Sequence, residues 1–115
     1  MNKSSCWDEE RTISRLGDDR SLIKKLVTLF LRDAPEQMSQ ALNGIKQQDY
    51  DESHVAVHSL KGTSSSFCTV QFETICTDLL KALKQRNWQE AESIHTQLTQ
   101  AYHQLEIEFE LFLRQ

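Results

Sequence analysis

Residues that break helices are scarce in this chain. Its 115 residues include only three glycines and one proline. Leu, Gln, Glu, Lys and Ala are plentiful instead, so the composition predicts an all-α protein with no strand signal. Cysteine is also sparse. Cys6, Cys68 and Cys76 are an odd number without metal-site spacing, which excludes a disulfide framework and points to reduced thiols in a cytoplasmic protein. No apolar run approaches the ~20 residues of a membrane span. The opening MNKSSCWDEE has no apolar region of the signal-peptide kind. Positive charge is in deficit: the formal net charge is −4, and no basic stripe is interleaved with aromatics, which argues against nucleic-acid binding. What remains, with 38% hydrophobic and 26% charged residues, is a soluble chain able to build one modest core, a single domain over residues 1–115.

The apolar residues recur at helical spacing. Trp7 to Leu16 reads as a short amphipathic helix stopped by Gly17. Asp18 or Asp19 caps the next helix, with Leu22, Ile23, Leu26, Leu29 and Phe30 as its apolar positions. Asp33 and Glu36 form a capping box around Pro35, so 21–47 is either one helix kinked near Pro35 or two. Asp49 and Glu52 form a second box. Thr69 caps a helix carrying Phe72, Ile75, Cys76, Leu79 and Leu83. Asn87 and Glu90 open the last helix, with Ala91, Ile94, Leu98, Ala101, Leu105 and Phe112 inward. Short connections make neighbouring helices antiparallel, so the expected fold is an up-down four-helix bundle with a short extra N-terminal helix.

The stretch His54–Cys68, HVAVHSLKGTSSSFC, stands apart. Val57, Leu60, Ser64 and Phe67 share one face at ~100° per residue. His58 then points outward, with Gly62 and Ser65 on its side and Lys61 and His54 on the shoulders. A mid-helix glycine costs about 1 kcal/mol relative to alanine. Here it sits one turn from an exposed imidazole, where it leaves room for something to approach. An unperturbed imidazole, with a pKa of about 6.5, is largely free base and nucleophilic near neutral pH. A phosphoryl group on it would favour a nearby cation, and Lys61 is three residues on. The ordinary alternative is that a lone surface histidine is inert.

His58-Ser59-Leu60-Lys61-Gly62-Thr63-Ser64-Ser65-Ser66-Phe67 resembles the signature of histidine-containing phosphotransfer (HPt) domains of two-component phosphorelays: His-x-Leu-Lys-Gly, small residues, then an apolar one. The resemblance extends to Phe30–Pro35 and to the helix starts at Asp49-Tyr50 and Asn87-Trp88. It implies a four-helix bundle in which His58 accepts phosphate at Nε2 from a receiver-domain aspartyl-phosphate and donates it to another receiver. Lys61 would steady the group, and His54, Lys61, Gly62 and Ser65 would face the partner. Response-regulator receivers and a hybrid sensor histidine kinase are the implied partners. No cofactor of its own is implied, Mg²⁺ coming from the receiver. Two positions depart from the pattern. Cys68 stands where the family has glycine, which predicts a differently shaped helix end. Leu80 stands where a Gln or Glu hydrogen-bonds the imidazole.

Other functions are less well supported by these residues. No Gly-rich nucleotide loop or paired Mg²⁺ carboxylates are visible, so autokinase activity is not expected. His54 and His58 have the i,i+4 spacing of a two-histidine metal site, but no Cys or carboxylate completes a tetrahedral set. A helical adaptor that docks a partner through the His58 face without taking phosphate is the alternative reading. His95 and His103 are expected to be solvated or boundary residues, and Lys24-Lys25 a solvated pair. Met1 and the compact length lead us to expect a free-standing protein, monomeric and cytoplasmic.

Overall fold

The computed structural model describes residues 6–115. Five α-helices follow in order: α1 (Glu9–Arg15), α2 (Arg20–Lys46), α3 (Tyr50–Ser64), α4 (Val70–Lys84) and α5 (Trp88–Leu113), with a 3₁₀ turn, Ser65–Phe67, ending α3. Helix α2 packs on α3, α3 on α4, α4 on α5 and α5 back on α2, which closes a four-helix ring around one core. The up-down bundle and the short N-terminal helix are both present. None of the helices is long and apolar enough to cross a membrane.

Caps decide where most of these helices begin. The side chains of Asp8, Asp19, Asp49 and Asn87 each accept the backbone N–H three residues on, from Arg11, Leu22, Glu52 and Glu90, satisfying donors that the first turn leaves unpaired. Of the two readings of 21–47, the single helix holds: α2 runs unbroken through Pro35, because the buried faces of Phe30, Ala34, Met38 and Ala41 carry it past the one hydrogen bond proline forgoes. The cap at Asp33 and the inward placement of Leu22 and Leu29 are corrected. Asp33 caps nothing and pairs with Arg32 at 2.9 Å. Thr69 holds the expected N-cap position of α4, but its side chain accepts no backbone N–H of the first turn. Its hydroxyl lies 2.8 Å from the Ser64 carbonyl, tying α4 to the end of α3, and 3.2 Å from the Glu73 carboxylate. Leu22 and Leu29, expected to face inward, are 40% and 42% exposed.

Helices α2 and α5 span 27 and 26 residues against 15 for α3 and α4. At ~1.5 Å per residue the long pair overhangs the short pair by about 17 Å. The overhang is filled by Trp7, which precedes α1 rather than lying within it. Its ring meets Phe67, Phe109 and Phe112 edge-on at 6.2, 4.9 and 5.3 Å. Phe30 joins the same cluster through Phe67, Phe72 and Phe109. At the other end of the bundle α2 and α4 finish alike. Gln48 and Arg86 adopt left-handed backbone (φ 57° and 58°), and the next N–H, of Asp49 or Asn87, returns to the carbonyl of Gly44 or Ala82. These are Schellman-type closures.

Candidate functional site

Helix α3 presents its two faces as its sequence dictates. Val57, Leu60 and Ser64 are fully buried and Phe67 is 1% exposed, while His58 and Gly62 are exposed and His54, Lys61 and Ser65 half-buried. The five expected site residues therefore share the outer side of one helix.

The hydroxyl-rich run after Gly62 works on the backbone. Thr63 donates to the Ser59 carbonyl at 2.9 Å, Ser64 to Lys61 at 3.1 Å and Ser65 to Gly62 at 2.8 Å. The Lys61 and Gly62 carbonyls lie in the last turn, where intrahelical partners run out, and short hydroxyl side chains add bonds there as α3 tightens into the 3₁₀ turn; Lys61 also accepts the Ser65 N–H. The turn then ends on Cys68 in left-handed backbone, φ 54° and ψ 51°. The expectation of a different helix end is thus corrected: cysteine takes up the conformation glycine adopts more cheaply, at a cost of about 1–2 kcal/mol. Neighbours hold it there. The Cys68 carbonyl accepts the Asp8 N–H at 3.3 Å, and its sulfur accepts from Arg15 at 3.4 Å.

Among the described residues nothing packs over Gly62. A Cβ placed there would meet no atom within 4 Å beyond its chain neighbours and the backbone of its own helix, so packing among those residues does not require a glycine at this position. Gly44 is the opposite case, its Cβ position lying 2.7 Å from the backbone nitrogen of Ser53. Beside the site, Leu26, Leu29, Gln37, Thr63 and Ser66 line a groove of about 220 Å³ between α2 and the end of α3.

Lys61 sits one turn beyond His58. Its charge is felt by Cys76 on α4, whose thiol is pushed up to about 12 by burial first, with Lys61 pulling it down and Glu73 pushing it up. Leu80 is half-buried against the core and has no polar atom to offer an imidazole. What His58 touches is His54: the rings lie 5.8 Å apart and 23° from parallel. His54 in turn lies 5.1 Å from the Tyr50 ring, and Arg86 places its guanidinium 3.9 Å from the Tyr50 centroid. Sequence reading placed His54 on the site's shoulder but missed Tyr50 and Arg86. The 50–54–58 spacing was available as a signal, whereas Arg86 arrives from another turn of the bundle.

Two other histidines are elsewhere. His95 is buried, correcting the expectation of a solvated or boundary residue, because its Nε2 lies 2.8 Å from the Met38 carbonyl of α2. His103 is exposed beside Glu106 at 3.4 Å. Lys24 also does more than face water, reaching the Gln115 carbonyl at 2.6 Å. Among the described residues no three His, Cys, Asp or Glu side chains converge as metal ligands.

The fold and site together define a class, that of antiparallel helical bundles with an exposed histidine, here His58, one turn from an open glycine. The family follows from sequence comparison. The Hpt domain model matches residues 25–108, and the chain belongs to that family. It is 26% identical over 87 residues to histidine-containing phosphotransfer protein 2 of Arabidopsis thaliana, covering 71% of this chain. The aligned part spans 56% of that relative. The crystal structure of histidine-containing phosphotransfer protein B (HptB) from Pseudomonas aeruginosa PAO1 superposes with a TM-score of 0.87 over 97% of both chains at 19% identity, a likeness of fold.

Proposed function

We propose that this chain, as a single domain over residues 1–115, is a phosphorelay carrier whose phosphoryl acceptor and donor is His58. In uptake, the Nε2 lone pair attacks the phosphorus of a receiver's aspartyl-phosphate. The P–O bond to the aspartyl carboxyl breaks, the carboxylate leaves, and Nδ1 keeps its proton. Delivery is the same displacement run toward the aspartate of a second receiver. Mg²⁺ and the carboxylate belong to the receiver. This chain supplies the nucleophile, a cation at Lys61 and an approach over Gly62. Receiver domains of response regulators, and of a hybrid sensor kinase upstream, are the partners this chemistry requires. It has no autokinase role.

The observation that carries the reading is the empty volume over Gly62 beside an exposed His58. A fold has no internal reason to keep a helix-weakening residue where a Cβ would touch nothing, so the vacancy serves something outside the chain. Val55, three residues before His58 and 58% exposed, adds apolar surface to the same side, as a docking face needs.

The test is transfer from a receiver domain loaded with radiolabelled acetyl phosphate. Label should move to this chain, be lost in acid, survive base, and be absent from His58→Gln. Full labelling of His58→Gln would refute the assignment. Partner binding with no label on the wild-type chain would favour the non-phosphorylated adaptor.

A further inference from the structure

An exposed imidazole on a helix has a freely turning ring, since its second side-chain torsion is broad. A group that must meet phosphorus in line gains from having that plane set in advance. Leu80 does not set it, and among the described residues no hydrogen bond to the His58 ring is formed. Its ring contact is the near-parallel His54, at 5.8 Å and 23°.

His54 is itself held. Residues 50, 54 and 58 are four apart, so each ring stands above the last with about 40° of drift around the axis. Tyr50 lies under His54 at 5.1 Å and 31°. The Arg86 guanidinium lies 3.9 Å from the Tyr50 centroid, a cation over an aromatic face. The guanidinium is fixed in turn, donating to the carbonyls of Leu83 at 3.4 Å and Lys84 at 3.1 Å. The column thus starts on the end of α4 and ends on the candidate acceptor, with each member half-buried or exposed.

We propose that His54, backed by the Arg86–Tyr50 pair, is a positioning residue that orients the His58 ring for phosphoryl transfer by stacking. The inference rests on the phosphorelay reading of His58. It assigns to a neighbouring ring the task a hydrogen-bonding side chain would otherwise perform. His54 exchanges no phosphate and touches no reacting atom; it narrows the set of ring planes His58 samples. Because the contribution comes from the ring face, a carbocyclic ring should replace it.

The experiment compares wild type, His54→Ala, His54→Phe and Arg86→Ala in rapid-quench transfer from a receiver domain loaded with radiolabelled acetyl phosphate. Each is measured over a range of receiver concentrations, with thermal unfolding run in parallel. His54→Ala should lower the saturated transfer rate about two- to tenfold, the factor an aromatic pair contact corresponds to. KM and the unfolding midpoint should scarcely move. His54→Phe should restore most of the rate, and Arg86→Ala should give a smaller loss in the same direction. A His54→Ala variant that matches wild type, or that raises KM alone, would overturn the proposal, as would a His54→Phe as slow as His54→Ala. Absence of label on the wild-type chain would instead sink the phosphorelay reading, so the two failures are distinguishable.

Discussion

Gly44 and Ser53 bring α2 and α3 together at a distance only glycine permits: a Cβ on Gly44 would stand 2.7 Å from the Ser53 nitrogen and 3.0 Å from its Cβ. Ser53 is anchored, its hydroxyl donating to the Asp49 carbonyl at 2.8 Å, and the obstructing atoms are its backbone and the Cβ fixed to it, none of which can swing away. Gly44→Ala therefore forces the two helices apart next to their connecting turn. We expect a loss of about 1–3 kcal/mol, read as a lower urea midpoint at an unchanged denaturant slope.

The same substitution at Gly62 should have the opposite sign. With nothing within 4 Å of the added Cβ, Gly62→Ala gains helix propensity and loses unfolded-state freedom, for a stabilisation of about 0.5–1 kcal/mol. Under the proposed function, larger side chains at this position obstruct the receiver. Gly62→Gln should keep wild-type stability or better while its transfer rate falls at least tenfold, an effect of about 1.4 kcal/mol on the barrier. A Gly62→Gln variant that unfolds normally and transfers at the wild-type rate would show that the vacancy has no docking role.

Alkaline pH should weaken the fold through three groups. Burial pushes the Cys76 thiol up to about 12. Burial, then the hydrogen bond and charge of Glu108, push Cys6 to about 12. Burial, then Glu106 and Glu110, push Tyr102 to about 12. Each is an acid whose folded value lies above its unfolded one, near 9 for thiols and 10 for tyrosine. Their contribution is fully present below pH 9 and is lost as pH rises toward 12, because the unfolded chain releases these protons first. Unfolding midpoints should be flat in this respect from pH 7 to 8.5 and fall steadily above 9. Within the set, the buried Tyr102 hydroxyl finds no hydrogen-bond partner among the described residues. Tyr102→Phe should thus leave stability unchanged or raise it by about 1 kcal/mol, and it should flatten the alkaline limb.

What could be read from the sequence was local. The outward face of α3 and the caps at Asp19, Asp49 and Asn87 follow from spacing and side-chain reach within a few residues, and all are as expected. The misreadings involve partners distant in the chain. His95 looks polar enough for solvent until the Met38 carbonyl is brought to it. The box at Asp33 and Glu36 is a valid local signal, but burial of Phe30, Ala34 and Met38 on either side of Pro35 outweighs it. Cys68 looks unfit for a left-handed turn, yet bonds from Asp8 and Arg15 hold it there. Gly44 gave no signal, because its close approach exists only once α3 has folded back along α2. For the candidate site, the exposed His58 and the open side at Gly62 were legible, whereas the rings beneath His54 were only half so, since Arg86 lies 36 residues from Tyr50.

Lys61 allows a prediction with two independent readouts. Its ammonium is three residues from His58 on the outer side of α3, and its charge also lowers the pKa of Cys76 from across the α3–α4 contact. An exposed ammonium–phosphate contact is worth roughly 1 kcal/mol or less. Lys61→Gln should accordingly shift the phosphoryl equilibrium between this chain and a receiver up to about fivefold toward the receiver without abolishing uptake. The same variant removes the one influence that pulls the Cys76 thiol down, so its pKa should rise further. Cys76 is fully buried, so its ionisation is followed by the ultraviolet absorbance of the thiolate rather than by alkylation, and in folded Lys61→Gln that absorbance should appear at higher pH than in wild type. A later thiolate with an unchanged phosphoryl equilibrium would show that the lysine charge is directed at α4 alone, and it would remove Lys61 from the proposed phosphate site. A shifted equilibrium with unchanged thiolate titration would confine it to the His58 side.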